Sequence, residues 1–245
     1  MMLAQRFAVI DIARTVAIVA MAIFHFTYDL ELFGFAPRGT MASMEWRLFA
    51  QGIAGSFLFL SGFSLVLAAR NGPIAPRKYL RRLAMIGVGA LAVTLGTYVA
   101  MGDAFVRFGI LHHMFAASLL GLLFLRTPFW VNTIIGAVVL TYPHFGTWPM
   151  FGGTHWLWLG QTSTALPPMV DYVPIIPWLG AFLLGMSAAQ AVTKFDLWAG
   201  LANMINPDTR VAKLLSWPGQ HTLSIYLIHQ PVLFGCVFFA RWLLG

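Results

Sequence analysis

Cysteine is nearly missing from this 245-residue chain, where Cys236 stands alone. An intrachain disulfide and a thiolate metal cage are thereby excluded, while the redox compartment stays open. Charge is scarce as well, at 9% of residues, and acidic side chains are the scarcer kind, 8 against 15 Lys and Arg. A chain that is 59% hydrophobic and so poor in charge cannot clothe itself in a polar surface, which excludes a water-soluble globule. Long polar tracts, a low-complexity tail and an internal repeat at fixed period are all lacking, so the pattern predicts one helical domain over residues 1–245.

What is there instead is a series of apolar runs of bilayer length, at about 8–31, 48–69, 83–101, 108–126, 129–145, 174–192 and 222–243. They predict an all-α polytopic transmembrane helical bundle of about seven spans, with the lipid bilayer as its first partner. The first run carries Asp11 and Arg14 and is not followed by a small-residue cleavage site, so it reads as a retained helix rather than a removed signal peptide. With the N-terminus placed in the cytoplasm, the inner side receives ten cations: Arg6, Arg70, Arg77, Lys78, Arg81, Arg82, Arg126, Lys194, Arg210 and Lys213. Arg38, Arg47, Arg107 and Arg241 fall outside. The net charge of +7 is then a matter of membrane topology and needs no nucleic-acid partner. Homo-oligomerisation is compatible with the pattern.

Chemistry concentrates in the first run. Four polar residues, Asp11, Arg14, His25 and Asp29, interrupt its apolar sequence, and ionisable groups inside a membrane are costly enough that function is their default reading. At 100° per residue, Arg14 and His25 differ by three turns plus about 20°, and Asp11 and Asp29 fall in the same arc of about 60°, so one helix face carries all four. Along the axis Arg14 and His25 are roughly 16 Å apart. Asp11 with Arg14, three apart, reads either as a neutralising ion pair or as part of an anion-binding site. Asp29, one turn after His25, reads as the carboxylate that fixes the imidazole tautomer for a general base, or as an interfacial hydrogen-bonded pair.

Other polar residues are sorted by depth. His112 and His113 open the fourth run at about the depth of His25. They point about 100° apart, and the turn places His112 toward a cavity and His113 toward lipid headgroups. The connection at about 146–173 has no Lys or Arg and is rich in aromatic residues, with Trp148, Trp156 and Trp158 beside His155 and the prolines Pro167 and Pro168. It reads as a sugar platform or lid, or as an aromatic belt at the membrane surface. A short amphipathic surface helix is expected around Trp198 to Ile205. Ser61 and Gly62 are expected to serve close helix packing, and His229 with Gln230, next to Pro231, lies a turn or two into the last run.

Taken in order, Asp11-Ile-Ala-Arg14, His25-Phe-Thr-Tyr-Asp29, Phe57-Leu-Phe-Leu-Ser-Gly-Phe63, Arg107-Phe-Gly-Ile-Leu-His112, Ile176-Pro-Trp-Leu-Gly-Ala-Phe-Leu-Leu-Gly185 and Tyr226-Leu-Ile-His-Gln-Pro231 resemble bacterial relatives of the catalytic domain of heparan-α-glucosaminide N-acetyltransferase. The Arg, ten residues, His spacing also resembles the membrane acyltransferase-three family. The chain departs from the heparan family in having Thr15 where Gly usually follows the arginine, and in having no histidine at 32–47.

The resemblance implies an integral membrane acyltransferase of the cell envelope, in a bacterial inner membrane, that moves an acetyl or other short acyl group from cytosolic acetyl-CoA or another acyl-CoA to an amine or hydroxyl of a glycan or sugar across the membrane. It makes His25 catalytic and Arg14 a ligand of the coenzyme. The residues themselves extend that scheme: Asp29 orients His25, His112 donates to the developing oxyanion, Arg77, Arg81 and Arg82 join Arg14 in holding phosphates, and Asp11 belongs to the same coenzyme site beside Arg14. Trp156, Trp158 and His155 would hold the acceptor. No metal is expected. Two other classes fit intramembrane Asp, Arg and His: a proton-coupled transporter or flippase, and a haem-binding electron carrier with His25 and His112 as ligands.

Overall fold

A computed structural model describes residues 7–146, 153–161 and 165–244. Each apolar run becomes a helix: α1 (Ala8–Leu32), α2 (Met44–Ala69), α3 (Pro76–Met101), α4 (Ile110–Gly121), α5 (Phe129–Thr141) and α6 (Ile175–Lys194), then, after the short α7 (Trp198–Asn203) and α8 (Arg210–Gln220), α9 (Thr222–Leu244). Among the described residues no strand forms, only an isolated parallel bridge between Phe108 and Tyr172. The fold is an all-α polytopic membrane bundle. The seven runs become five helices long and apolar enough to cross a bilayer, α1, α2, α3, α6 and α9, and two shorter apolar ones. At 12 and 13 residues, α4 and α5 reach roughly 20 Å, short of a hydrocarbon core of about 30 Å.

Helix boundaries follow local chemistry. Pro76 opens α3 in its first turn, where a missing N–H costs nothing and the fixed φ suits a helix start. At the far end of α1, Gly34 takes φ +81 and lets the Phe35 N–H turn back to the Leu30 carbonyl at 2.8 Å. The loop beyond is tied down by Glu31, whose carboxylate accepts from the Gly39 and Met41 N–H groups at 2.7 and 2.8 Å.

The chain divides into two compact units, Met1–Phe57 with Leu197–Gly245, and Leu58–Asp196. In the first, α1 packs on α8 and α9. Its polar face turns inward: Asp11 and Asp29 are buried, while Val16, Val19 and Ile23 are exposed. A water-soluble helix would be arranged the other way round, and a bilayer reverses it because lipid, not protein, solvates the apolar face. Phe7 lies against buried Trp198, the rings tilted at 5.2 Å, and α7, where a short amphipathic helix is expected at 198–205, buries Trp198 while Ala199, Gly200 and Asn203 stay exposed. The amphipathic element is α8, which buries Ala212, Ser216 and Gly219 and exposes Val211, Leu214 and Trp217. Thr209 caps it, accepting from the Ala212 N–H at 3.1 Å.

In the second unit, Leu58, Leu65, Phe182, Leu183 and Met186 form the buried centre. Glycines set the spacing there: a Cβ on Gly62 would collide with the Phe182 carbonyl, and one on Gly185 with the Phe59 carbonyl. Backbone therefore lies against backbone, as small residues permit where lipid gives no hydrophobic drive to pack. That bears out the expectation for Gly62. At the other side of α6 a polar network closes the connection before α5: the Asn132 amide donates to Gln190 Oε1 at 2.7 Å, and the Gln190 amide donates to the carbonyls of Phe124 and Thr127. Buried carbonyls released at the end of an apolar helix are satisfied in this way.

Candidate functional site

The polar face of α1 carries two clusters. At its start, Arg14 Nη1 donates to Asp11 Oδ1 at 2.7 Å, and the other Asp11 oxygen accepts from the Gln220 amide at 3.2 Å. The ion pair expected from the three-residue spacing is thus present, and it also tethers the end of α8. Beside it, the Thr15 hydroxyl donates to the Leu215 carbonyl at 2.6 Å and accepts from the Gly219 N–H at 2.9 Å. One side chain of α1 therefore serves a donor and an acceptor of the α8 backbone. Thr15 is thus a docking point for α8.

A second cluster lies toward the other end of α1. The His25 ring meets the His229 ring edge to face at a centroid separation of 4.8 Å, and the Phe24 ring lies 5.5 Å from it. Asp29 is fully buried, and its Oδ1 accepts from the Gln230 amide at 2.9 Å. Among the described residues no hydrogen bond joins Asp29 to His25. Asp29 thus ties α1 to α9, and the neighbour of His25 is a second imidazole. The reason lies in α9: His229 and Gln230 are consecutive, so one amide and one ring face α1 at the height of Asp29 and His25. The His229 Nδ1 lies 2.6 Å from the Tyr226 carbonyl. A carbonyl only accepts, so Nδ1 carries the proton and Nε2 the lone pair.

The second unit holds the remaining candidates. His112 is half-buried at the start of α4. Its Nδ1 accepts from the Gly109 N–H at 3.3 Å, and its Nε2 lies 3.2 Å from the Thr94 hydroxyl, which donates to the Val106 carbonyl at 2.8 Å. Both ring nitrogens are engaged in holding the turn before α4. His113 corrects the sequence reading: it is fully buried and pairs with the Pro174 carbonyl at 3.1 Å, so it does not face lipid headgroups. Helix α4 is packed against α3 and α6, which leaves no headgroup-facing side at that position. Arg77 and Arg81 are exposed on the first turns of α3 and Arg82 is half-buried, while Tyr79 between them donates to the Ser118 carbonyl at 2.6 Å.

The aromatic connection folds back on the segment before α4. The Val170 N–H bonds the Ala104 carbonyl at 3.1 Å and the Val173 N–H bonds that of Phe108 at 3.0 Å. Between these elements lies a cleft of about 370 Å³ lined by Arg107, Phe108, Thr154, His155, Leu157 and Trp158. Trp156 and Trp158 are tilted neighbours at 6.0 Å, with His155 5.7 Å from Trp156. Trp148 lies outside the described residues, as does Arg6. The Arg107 guanidinium sits 4.2 Å over the Phe105 ring and donates to the carbonyls of Asp103 and Pro168, which fixes one wall of the cleft.

Sequence reasoning left Asp171 unnoticed. Its Oδ2 accepts from the Ile110 N–H at 2.9 Å, capping α4 from 61 residues away. Burial pushes its carboxyl above the usual range, opposed by that N–H. The cap needs an oxygen more than a charge, so Asp171→Asn is expected to change thermal stability in detergent little. Asp171→Ala, which orphans the N–H, is expected to cost about 0.5–2 kcal/mol. Gln220 and Gln230 were also missed as partners of the α1 carboxylates. The signal for Gln230 was present, since it follows a histidine in mid-helix.

The sequence profile of the heparan-alpha-glucosaminide N-acetyltransferase catalytic family matches residues 6–231. No curated protein and no solved structure matches the chain. A match over that span shows the family: the chain belongs to the heparan-alpha-glucosaminide N-acetyltransferase catalytic family, as an integral membrane member.

Proposed function

We propose, proceeding from that membership, that the chain acts as a single transmembrane acyltransferase domain that moves an acetyl or other short acyl group from cytosolic acyl-CoA to an amine or hydroxyl of a sugar or glycan on the opposite side of a bacterial inner membrane. The observation that carries the reading is the inward-facing stripe of α1, with the Arg14 pair at one end and the His25 ring cluster, roughly 16 Å along the axis, at the other. An acyl-CoA has a polyanionic head and a thin arm ending in a thioester, so a cation and a base at such spacing suit its two ends.

In this reading Arg14 binds the donor's phosphates by charge-assisted hydrogen bonds, and Asp11 holds the guanidinium in place through the contact it already makes. The basic start of α3, Arg77, Arg81 and Arg82, is assigned to donor phosphates on its charge alone. His25 takes the proton from the acceptor as its nitrogen or oxygen attacks the thioester carbonyl. Asp29 contributes by locking α9 to α1 through Gln230, and His112 by holding the turn that opens α4. The cleft with His155 and Trp158, and Trp156 beside it, is assigned to the sugar, whose apolar ring face suits an indole.

The test is to reconstitute the purified protein in liposomes and supply acetyl-CoA labelled in the acetyl group, with glucosamine as the probe acceptor. Release of free CoA with label on the sugar is the expected result. Uptake of label with the thioester intact would instead favour a transporter.

A further inference from the structure

The His25 cluster is short of protons. Among the described residues, three buried atoms there have no hydrogen-bond partner: Asp29 Oδ2, His229 Nε2 and Gln230 Oε1. All are acceptors, the His229 nitrogen because its Nδ1 proton is committed to Tyr226. Buried polar atoms are normally paired, so a group of orphans with one polarity calls for a role. Structural packing does not need it, since a phenyl ring would fill the place of the His229 imidazole against His25 without leaving a lone pair unsatisfied.

We infer that His229 is a positioning residue for the acyl transfer: its Nε2 lone pair receives, through His25, the proton that leaves the acceptor. The inference rests on the reading of His25 as the base. The rings stand edge to face at 4.8 Å with no hydrogen bond between them, close enough that rotation of the His25 side chain brings an N–H to His229 Nε2, and the Nδ1 contact to Tyr226 holds the receiving nitrogen in the correct tautomer. The acceptor's lone pair forms the new bond to the thioester carbonyl carbon while its proton passes to one His25 nitrogen. The proton on the other His25 nitrogen moves to His229 Nε2. When the tetrahedral intermediate collapses, the C–S bond breaks with its electron pair on sulfur, and the stored proton returns through His25 to the CoA thiolate. Acetyl-CoA and acceptor become acetylated acceptor and CoA with no proton unaccounted for.

Two substitutions separate relay from packing. His229→Phe keeps the ring, and His229→Gln keeps a polar side chain that cannot take up a proton. In both, kcat for acetyl transfer from acetyl-CoA to glucosamine is expected to fall about 10²-fold, with KM for acetyl-CoA unchanged within about twofold. In the unaltered protein, kcat measured across H2O/D2O mixtures is expected to give a curved proton inventory, from two protons moving together. Wild-type kcat in either variant overturns the inference, and so does a linear inventory in the unaltered protein. Full activity in His25→Ala removes the base itself. Loss in His25→Ala alongside wild-type activity in His229→Phe sinks the relay alone.

Discussion

Replacing His25 with alanine is expected to abolish acetyl transfer while leaving the donor bound. General-base catalysis contributes about 10²–10⁴ to rate, so kcat should fall by at least 10²-fold, with no comparable change in the dissociation constant of CoA measured by calorimetry on detergent-solubilised protein. Arg14→Ala should do the reverse and raise KM for acetyl-CoA first. The contrast follows from position. Arg14 and His25 lie on one helix, about three turns apart, so each change leaves the other end of α1 standing. The Arg14 change also frees the Asp11 oxygen that it occupies, and part of its effect should be recovered by Arg14→Lys, which restores charge but not the planar fork. Full turnover in His25→Ala would end the acyl-transfer mechanism drawn around that ring.

The largest loss of stability is expected where α8 meets α1. A Cβ on Gly219 would collide with the Asp11 backbone carbonyl, with the Thr15 hydroxyl 3.1 Å away. The obstacle is helix backbone and cannot swing aside. Gly219→Ala must therefore push α8 off α1 and strain the Thr15 hydrogen bonds, an overpacking cost of about 1–3 kcal/mol. Thr15→Val, nearly the same shape, leaves the Gly219 N–H and the Leu215 carbonyl without that partner and is expected to cost about 1–3 kcal/mol. Sharing one contact, the two losses should fall short of additive in the double variant. Thermal unfolding in detergent measures all three. Because Asp11 is held from the same helix by Gln220, Gly219→Ala should also weaken donor binding. A variant as stable as the parent would show that α8 is not docked through this contact.

Composition alone was enough for a membrane bundle, because a chain so apolar has only one solvent in which it is stable. The shared face of Asp11, Arg14, His25 and Asp29 was equally readable, since helical geometry fixes angles within one element without reference to any other. Partners were a different matter. Asp29 is one turn from His25 on the same helix, and local spacing made it the obvious orienting carboxylate. The structure gives Asp29 to Gln230 and His25 to His229, 201 and 204 positions away in the chain. His113 shows the same limit: its burial depends on α4 lying against α3 and α6, which no property of the fourth run reveals.

What the sequence determined by itself, then, is the class of fold, the apolar helices and the face of α1 on which chemistry is written. Each depends on composition or on a period within one segment. What only the tertiary structure decided is which hydrogen-bonding group each of those residues meets: Gln220 for Asp11, two α8 backbone groups for Thr15, Gln230 for Asp29 and a second imidazole for His25. Those pairings are set by the depth and rotation at which α8 and α9 pack against α1, and in a bilayer that packing is governed by close backbone approach at small residues such as Gly219 and by buried polar pairs, neither of which has a periodic signature in the chain.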